Sequence, residues 1–139
     1  MGARLLVFRV GEVRCAVEAS AVREILPVPP ATRVPGAPEQ VVGLINVRGR
    51  IITLVDAHKC LGQRLQDTAG SLVLLELGSR TVGLIVDEVI DLISVAEGML
   101  AERDGLPGIE AEFVRAVGQQ GGESFALLDT EALLSPILH

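Results

Sequence analysis

The stretch Val41-Val42-Gly43-Leu44-Ile45-Asn46-Val47-Arg48-Gly49-Arg50-Ile51-Ile52-Thr53-Leu54-Val55-Asp56 sets an apolar run, a charged turn around Gly49, a second apolar run and a closing carboxylate in immediate succession. Val, Ile and Leu in short runs on either side of a Gly turn are strand and hairpin chemistry, not a 3.6-residue period. The same design recurs upstream as residues 5–10, a turn at Gly11 and Glu12, residues 13–17 and Glu18. Downstream it recurs as residues 72–77, a turn at 78–80, residues 81–86 and Asp87. A fourth hairpin is predicted from residues 113–118, a turn at 119–123 and residues 124–128. Residue identities do not repeat, so these are repeated hairpins and not an internal duplication. Many short strands with Gly-rich turns favour an all-β fold of small barrels over a sandwich of long strands.

Between the hairpins, Ala19, Val22 and Leu26 fall at helical spacing, which predicts a short helix over residues 18–25. Pro27, Pro29, Pro30, Pro35 and Pro38 then make residues 27–38 a stiff, extended crossover. Asp56 can N-cap a short helix through Cys60 that ends at Gly62. Residues 63–70 form the most polar loop and the expected boundary between two halves. Residues 89–95 suit a strand or a helix, residues 97–112 read as a surface loop, and residues 130–134 form a short helix broken by Pro136.

The chain has 139 residues, 49% of them apolar, with a mean hydropathy of +0.47. That supports one compact unit and excludes a large two-domain enzyme. Stretches free of Asp, Glu, Lys and Arg never exceed eight residues, well short of the ~20 apolar residues of a spanning helix, so direct membrane insertion is not expected. Residues 1–11, interrupted by Arg4 and Arg9, lack a signal-peptide apolar core, which leads us to expect a cytoplasmic protein. Cys15 and Cys60 have neither disulfide-framework nor zinc spacing. A net charge of −6 with three Phe and no Trp or Tyr argues against nucleic acid as a partner. Eleven of the twelve basic residues are Arg, which favours specific ion pairs and protein partners.

Six elements occur in order: Val22-Arg23-Glu24-Ile25, then Thr32-Arg33-Val34-Pro35-Gly36-Ala37-Pro38, Val42 to Gly49, Ile51-Ile52-Thr53-Leu54-Val55-Asp56, Val82-Gly83-Leu84-Ile85-Val86-Asp87-Glu88-Val89 and Ala126-Leu127-Leu128-Asp129. Together they resemble the CheW-family chemotaxis coupling proteins over nearly the whole chain. The resemblance implies two small five-stranded SH3-like barrels packed on a shared hydrophobic core, a fold also used by the regulatory domain of the CheA histidine kinase. It implies one CheW-like domain over residues 1–139, with a first barrel at about residues 17–70 and a second at 71–125 plus the terminal strands. It further implies a non-catalytic adaptor, without a cofactor, that joins the cytoplasmic tips of chemoreceptors (methyl-accepting chemotaxis proteins) to a CheA-type kinase. A modulator that binds receptor but not kinase is the near alternative.

On the same resemblance, a receptor groove is expected to use Val22, Glu24, Gly43, Asn46, Arg48, Gly49, Val86 and Leu92, with Glu24 and Arg48 paired. Gly49 suits a tight turn, and Gly43, in mid-strand, suits a bulge or a close approach of another chain. Taken alone, Val22, Val86 and Leu92 read as core more readily than as contact, and only the resemblance brings the two readings level. Thr53, Cys15 and the pair Ala57-His58 depart from the family's usual Pro, Tyr and Leu-Arg. The rival class is a small metal- or ligand-binding barrel built on Asp56, His58, Cys60 and Asp87. Residues two apart on a helix point to different faces, and a cap or turn role for each Asp needs nothing further.

Overall fold

The computed structural model describes residues 2–63, 70–96, 98–102 and 109–138. Within them run β1 (Ala3–Val10), β2 (Val13–Glu18), β3 (Val22–Pro27), β4 (Val41–Val47), β5 (Arg50–Asp56), α1 (Ala57–Leu61), β6 (Ser71–Leu77), β7 (Arg80–Val86), β8 (Glu88–Val95), β9 (Ala101–Glu102), β10 (Val114–Gln120), β11 (Glu123–Leu128) and α2 (Thr130–Leu138). One sheet has the order β8-β1-β2-β11-β10-β9, and the other β3-β6-β7-β5-β4. The two-residue β9 is a sixth strand on the first sheet; otherwise each sheet has five, as in two small barrels.

All four predicted hairpins are present as β1–β2, β4–β5, β6–β7 and β10–β11. Alternation along their strands explains the nearly continuous apolar runs. On β6, Leu72 and Leu74 enter one apolar cluster while Val73 and Leu75 enter another. On β1, Leu5 and Val7 likewise part from Leu6, Phe8 and Val10. Strands buried on both faces lose the polar half of the usual alternation.

Three clusters result. Leu5, Val7, Ala16, Phe125 and Leu127 fill the interior of the first barrel. Ile45, Ile52, Leu54, Leu72 and Leu74 fill that of the second. The largest lies between them and takes Phe8, Val10, Cys15, Val114 and Leu128 from one sheet and Val55, Val73, Leu75, Val82 and Leu84 from the other, with Leu61, Leu133 and Leu134 from the helices. The shared core is therefore a slab on which both sheets rest.

Several expectations change. The boundary near residue 70 does not divide the sheets, because β6 and β7 pair with β3 and β5. The sheet β3-β6-β7-β5-β4 runs from Val22 to Val86, and the chain's two ends build the other. Most of the predicted polar loop, residues 64–69, and residues 97 and 103–108 of the predicted surface loop lie outside the described residues. Helix over residues 18–25 is limited to one 3-10 turn, Ala19–Ala21, before β3. Along β3 exposure alternates at every residue; Glu24 and Leu26 lie opposite Leu74 and Leu72 of β6, and that pairing satisfies the backbone in a way an isolated helical turn cannot. Residues 89–95 are strand. Finally, α2 continues through Pro136. The proline removes one hydrogen bond near the helix end, while Leu133, Leu134 and Ile137 hold that helix to the slab.

Leu84→Ala empties part of the slab and is expected to cost about 2–5 kcal/mol. Ile51→Ala, at a side chain 65% exposed, is expected to stay within about 0.5 kcal/mol of wild type. Urea unfolding at neutral pH measures both.

Candidate functional site

The β4–β5 turn sits where two sheet edges meet. β3 and β4 are the opposite edges of their sheet, yet Glu24 on β3 accepts two hydrogen bonds from Arg48, from Nη1 at 2.7 Å and Nη2 at 2.8 Å. This parallel fork bridges the open seam of the barrel. The turn is built for it: Arg48 and Gly49 have φ of 50° and 85°, the left-handed pair of a two-residue hairpin turn, and Asn46 Oδ1 accepts from Gly49 N at 2.8 Å. Arg48 is the one non-glycine with positive φ among the described residues. The guanidinium stands out in solvent and holds the Glu24 carboxyl below its usual range, chiefly by hydrogen bonding, with Arg23 adding to its field.

Glu24, Asn46, Arg48 and Gly49 are thus brought together at one end of the barrel. Val22 lies two residues before Glu24 on β3, but a register shift between them turns it to the slab, against which it is partly buried. Leu92 is on the other sheet, in β8, and 46% exposed. Val86 corrects the expectation of a groove-lining residue: it is fully buried in the slab, where β7 alternation sends it with Val82 and Leu84.

Gly43 resolves in a specific way. A Cβ there would lie 2.3 Å from Thr32 O, because the Pro-rich crossover docks on β4 through Thr32 N to Leu44 O (2.9 Å) and Leu44 N to Thr32 O (2.8 Å). The close approach is by this chain's own backbone. The strand also carries a register shift between Val41 and Gly43, so the bulge is present, while the space beside the glycine is taken by this chain and not by another. The crossover in turn borders an open groove of about 920 Å³, lined by Val28, Val34, Val42, Leu54, Lys59 and Ile85 among others. That groove is separate from the Arg48 turn.

Sequence reasoning missed how Asp56, His58 and Asp87 meet. Asp56 caps α1 as expected, accepting from His58 N at 2.9 Å. Its Oδ1 also lies 2.6 Å from His58 Nδ1, and His58 Nε2 lies 2.8 Å from Asp87 Oδ2. Asp87 is therefore no simple turn or cap residue. It is 3% exposed, accepts from Gly11 N at 2.6 Å, and sits where the chain crosses from β7 to β8. The visible signals were two hairpin-ending carboxylates and a histidine where the family more often has arginine; their meeting depends on tertiary placement. Both ring nitrogens face carboxylate oxygens, leaving no lone pair for a metal, and His58 is 2% exposed, beyond a substrate's reach. Burial pushes the thiols of Cys15 and Cys60 up to about 12, so neither is a thiolate nucleophile at neutral pH.

The fold and the site define a two-barrel protein with a closed polar crossing and an exposed, oriented ion pair. The chain matches the CheW-like domain over residues 4–137 and belongs to that family, whose members here are scaffold proteins and not enzymes. It is 33% identical over 135 residues to the chemotaxis protein CheW of Rhizobium meliloti, covering 95% of this chain and 87% of that one. It is 29% identical over 139 residues to CheW of Treponema pallidum, covering 95% and 82%. The scaffolding protein TtCheW of Thermoanaerobacter tengcongensis superposes with a TM-score of 0.85 at 24% identity, over 93% of this chain and 90% of that structure.

Gly43→Ala is expected to destabilise by about 2 kcal/mol or more, since the new methyl displaces backbone; urea unfolding reads it. Because the folded Glu24 carboxyl titrates below the unfolded one, its pair with Arg48 supports the fold above the ordinary Glu range and is lost as pH falls through the depressed value. Carboxyl NMR titration should show Glu24 moving back toward the ordinary range in Arg48→Ala.

Proposed function

We propose that this protein is a cytoplasmic chemotaxis adaptor that couples chemoreceptor cytoplasmic tips to a CheA-type histidine kinase. The observation that carries the reading is the bidentate Glu24–Arg48 pair across the barrel seam in a chain of the CheW-like family. An exposed ion pair contributes little stability, whereas a guanidinium held in one orientation offers a partner a fixed charge and further donors. The receptor-facing surface comprises Glu24, Asn46, Arg48 and Gly49, with Val22 and Leu92 as apolar contacts and Gly43 keeping the crossover seated behind them. The kinase's regulatory domain meets a different face. No helix among the described residues is long and apolar enough to cross a membrane, and array association through partners suits that. Each contact is small, so assembly depends on multivalency.

Co-sedimentation with a receptor signalling fragment and the kinase of the same organism tests this. Wild type is expected to bridge the two. Arg48→Glu is expected to bind receptor about tenfold more weakly or worse, and Glu24→Arg with Arg48→Glu to recover part of the loss. Receptor binding without kinase recruitment would establish the modulator instead, and binding to neither would overturn both readings.

A further inference from the structure

At the open end of the second barrel, Arg23 of β3, Arg48 of the β4–β5 turn and Arg50 at the start of β5 rim a recess of about 40 Å³. Thr81 of β7 completes the rim, and Val47, Ile52 and Leu74 line the recess with apolar surface. Ile52 and Leu74 belong to the barrel interior and Val47 packs against it, so the recess is the barrel's mouth. We propose that this mouth is a carboxylate socket in which Arg50, flanked by Arg23 and Arg48, takes an aspartate or glutamate side chain of the receptor tip. The inference rests on the reading that the Glu24–Arg48 face meets the receptor, and it names the chemistry which that face selects.

The pairings at the rim leave one cation over. Glu24 accepts from Arg48 Nη1 and Nη2, and Glu76 of β6 accepts from Arg23 Nη1 at 2.6 Å. Arg50 meets no carboxylate among the described residues. Its contact is from Nη2 to Thr81 Oγ1 at 3.4 Å, longer than an ordinary N–H···O bond. A guanidinium has five N–H donors, so Arg50 keeps most of its fork open, and Arg48 keeps donors beyond the two it gives to Glu24. Arg23 adds its field to that of Arg48 at Glu24, so these cations act on one anion together. The surplus is local, since the chain as a whole carries a net charge of −6.

Size and chemistry select the occupant. The recess is a few times the roughly 10–15 Å³ that one water needs, which is the scale of a carboxylate and too small for an aromatic ring. The planar fork of a guanidinium matches a carboxylate, and the rim already makes that match twice. An arriving side chain displaces water from the apolar lining, which strengthens its pairing with Arg50. A partner with an apolar or basic residue at the same place would cover Arg50 without an anion, and the cost of that unpaired charge makes the socket selective.

Receptor binding and kinase binding are measured separately, with a receptor signalling fragment and the kinase of the same organism, at about 50 and about 200 mM salt. Arg50→Gln is expected to weaken receptor binding about tenfold at the lower salt and less at the higher, and Arg50→Glu to weaken it further. Arg50→Lys keeps the charge without the fork and should fall between Arg50→Gln and wild type. Kinase binding should stay at the wild-type level in all three. Because Arg50 is exposed, unchanged urea midpoints are expected and show that the variants are folded. Each aspartate and glutamate of the receptor tip is then replaced in turn by asparagine or glutamine; one replacement should make receptor binding insensitive to Arg50→Gln, as a direct pair requires. If Arg48→Glu loses the receptor while Arg50→Gln binds it like wild type, the socket is overturned and the adaptor reading stands. A loss in Arg50→Gln that no receptor replacement absorbs, or a loss of kinase binding in its place, also overturns the socket. Absence of receptor binding by wild type overturns both.

Discussion

Strands β1, β2, β6, β7 and β11 are buried on two sides, and the rest of the structure follows from that constraint. A small barrel of five strands encloses only a handful of side chains, here chiefly leucine, isoleucine and valine, too little to hold a fold alone. The slab between the barrels supplies the larger share. Two consequences follow. Neither barrel is an independent unit, and the residues facing the slab are as intolerant of polar replacement as those inside the barrels. Gly83 shows the tightness of the inner side, since a Cβ would meet Leu72, Leu54 and Leu74 at 2.9 to 3.5 Å, three leucines that already fill the space.

Apolar burial has no direction, so the slab alone does not fix the angle between the sheets. Direction comes from hydrogen bonds at the margins. The crossing at Asp87 is tied to both sheets. Elsewhere, cross-links act within a sheet: Gln120 on β10 reaches Asp91 on β8 at 3.0 Å, although the two strands are not neighbours. This closes the first barrel as Glu24 and Arg48 close the second. Edge strands left open invite pairing with other chains, and such closures leave exposed side chains, not backbone, to meet a partner.

The legible parts of the fold were those written in local chemistry. Gly11, Gly49, Gly78 and Gly121 mark hairpin turns and all have positive φ, so turn residues and apolar runs sufficed to locate four hairpins. Asp56 and Gly62 likewise bound α1 as cap and left-handed stop. The misread parts depended on distance. Val22 and Leu26 fit a helical spacing, and only the pairing of β3 with β6, with its register shift after Val22, makes them strand. Allocation of strands to sheets rests on two parallel pairings, β2 with β11 and β5 with β7, which no turn announces. At the site, Glu24 and Arg48 were expected together from family resemblance and are. Val86 could not be assigned to core or contact from sequence, because a strand buried on both faces gives no alternation from which to read its outward side.

The arrangement bears on how an adaptor of this kind can transmit rather than merely attach. A surface at one end of the second barrel and a surface on the first can influence one another only through the angle between the barrels, since each barrel interior is filled. That angle is held by a greasy slab, which permits small sliding displacements, and by a polar crossing, which does not. From the Arg48 turn, β5 leads directly into α1, whose N-cap Asp56 and whose His58 both belong to the crossing. The Pro-rich crossover, seated on β4 through Thr32 over Gly43, stiffens the same path from outside. A scaffold with weak individual contacts gains from such stiffness, because multivalent assembly rewards sites whose separation and orientation are already set. Loosening the crossing would leave each surface intact but uncouple their orientation, a failure invisible to any assay of one partner alone.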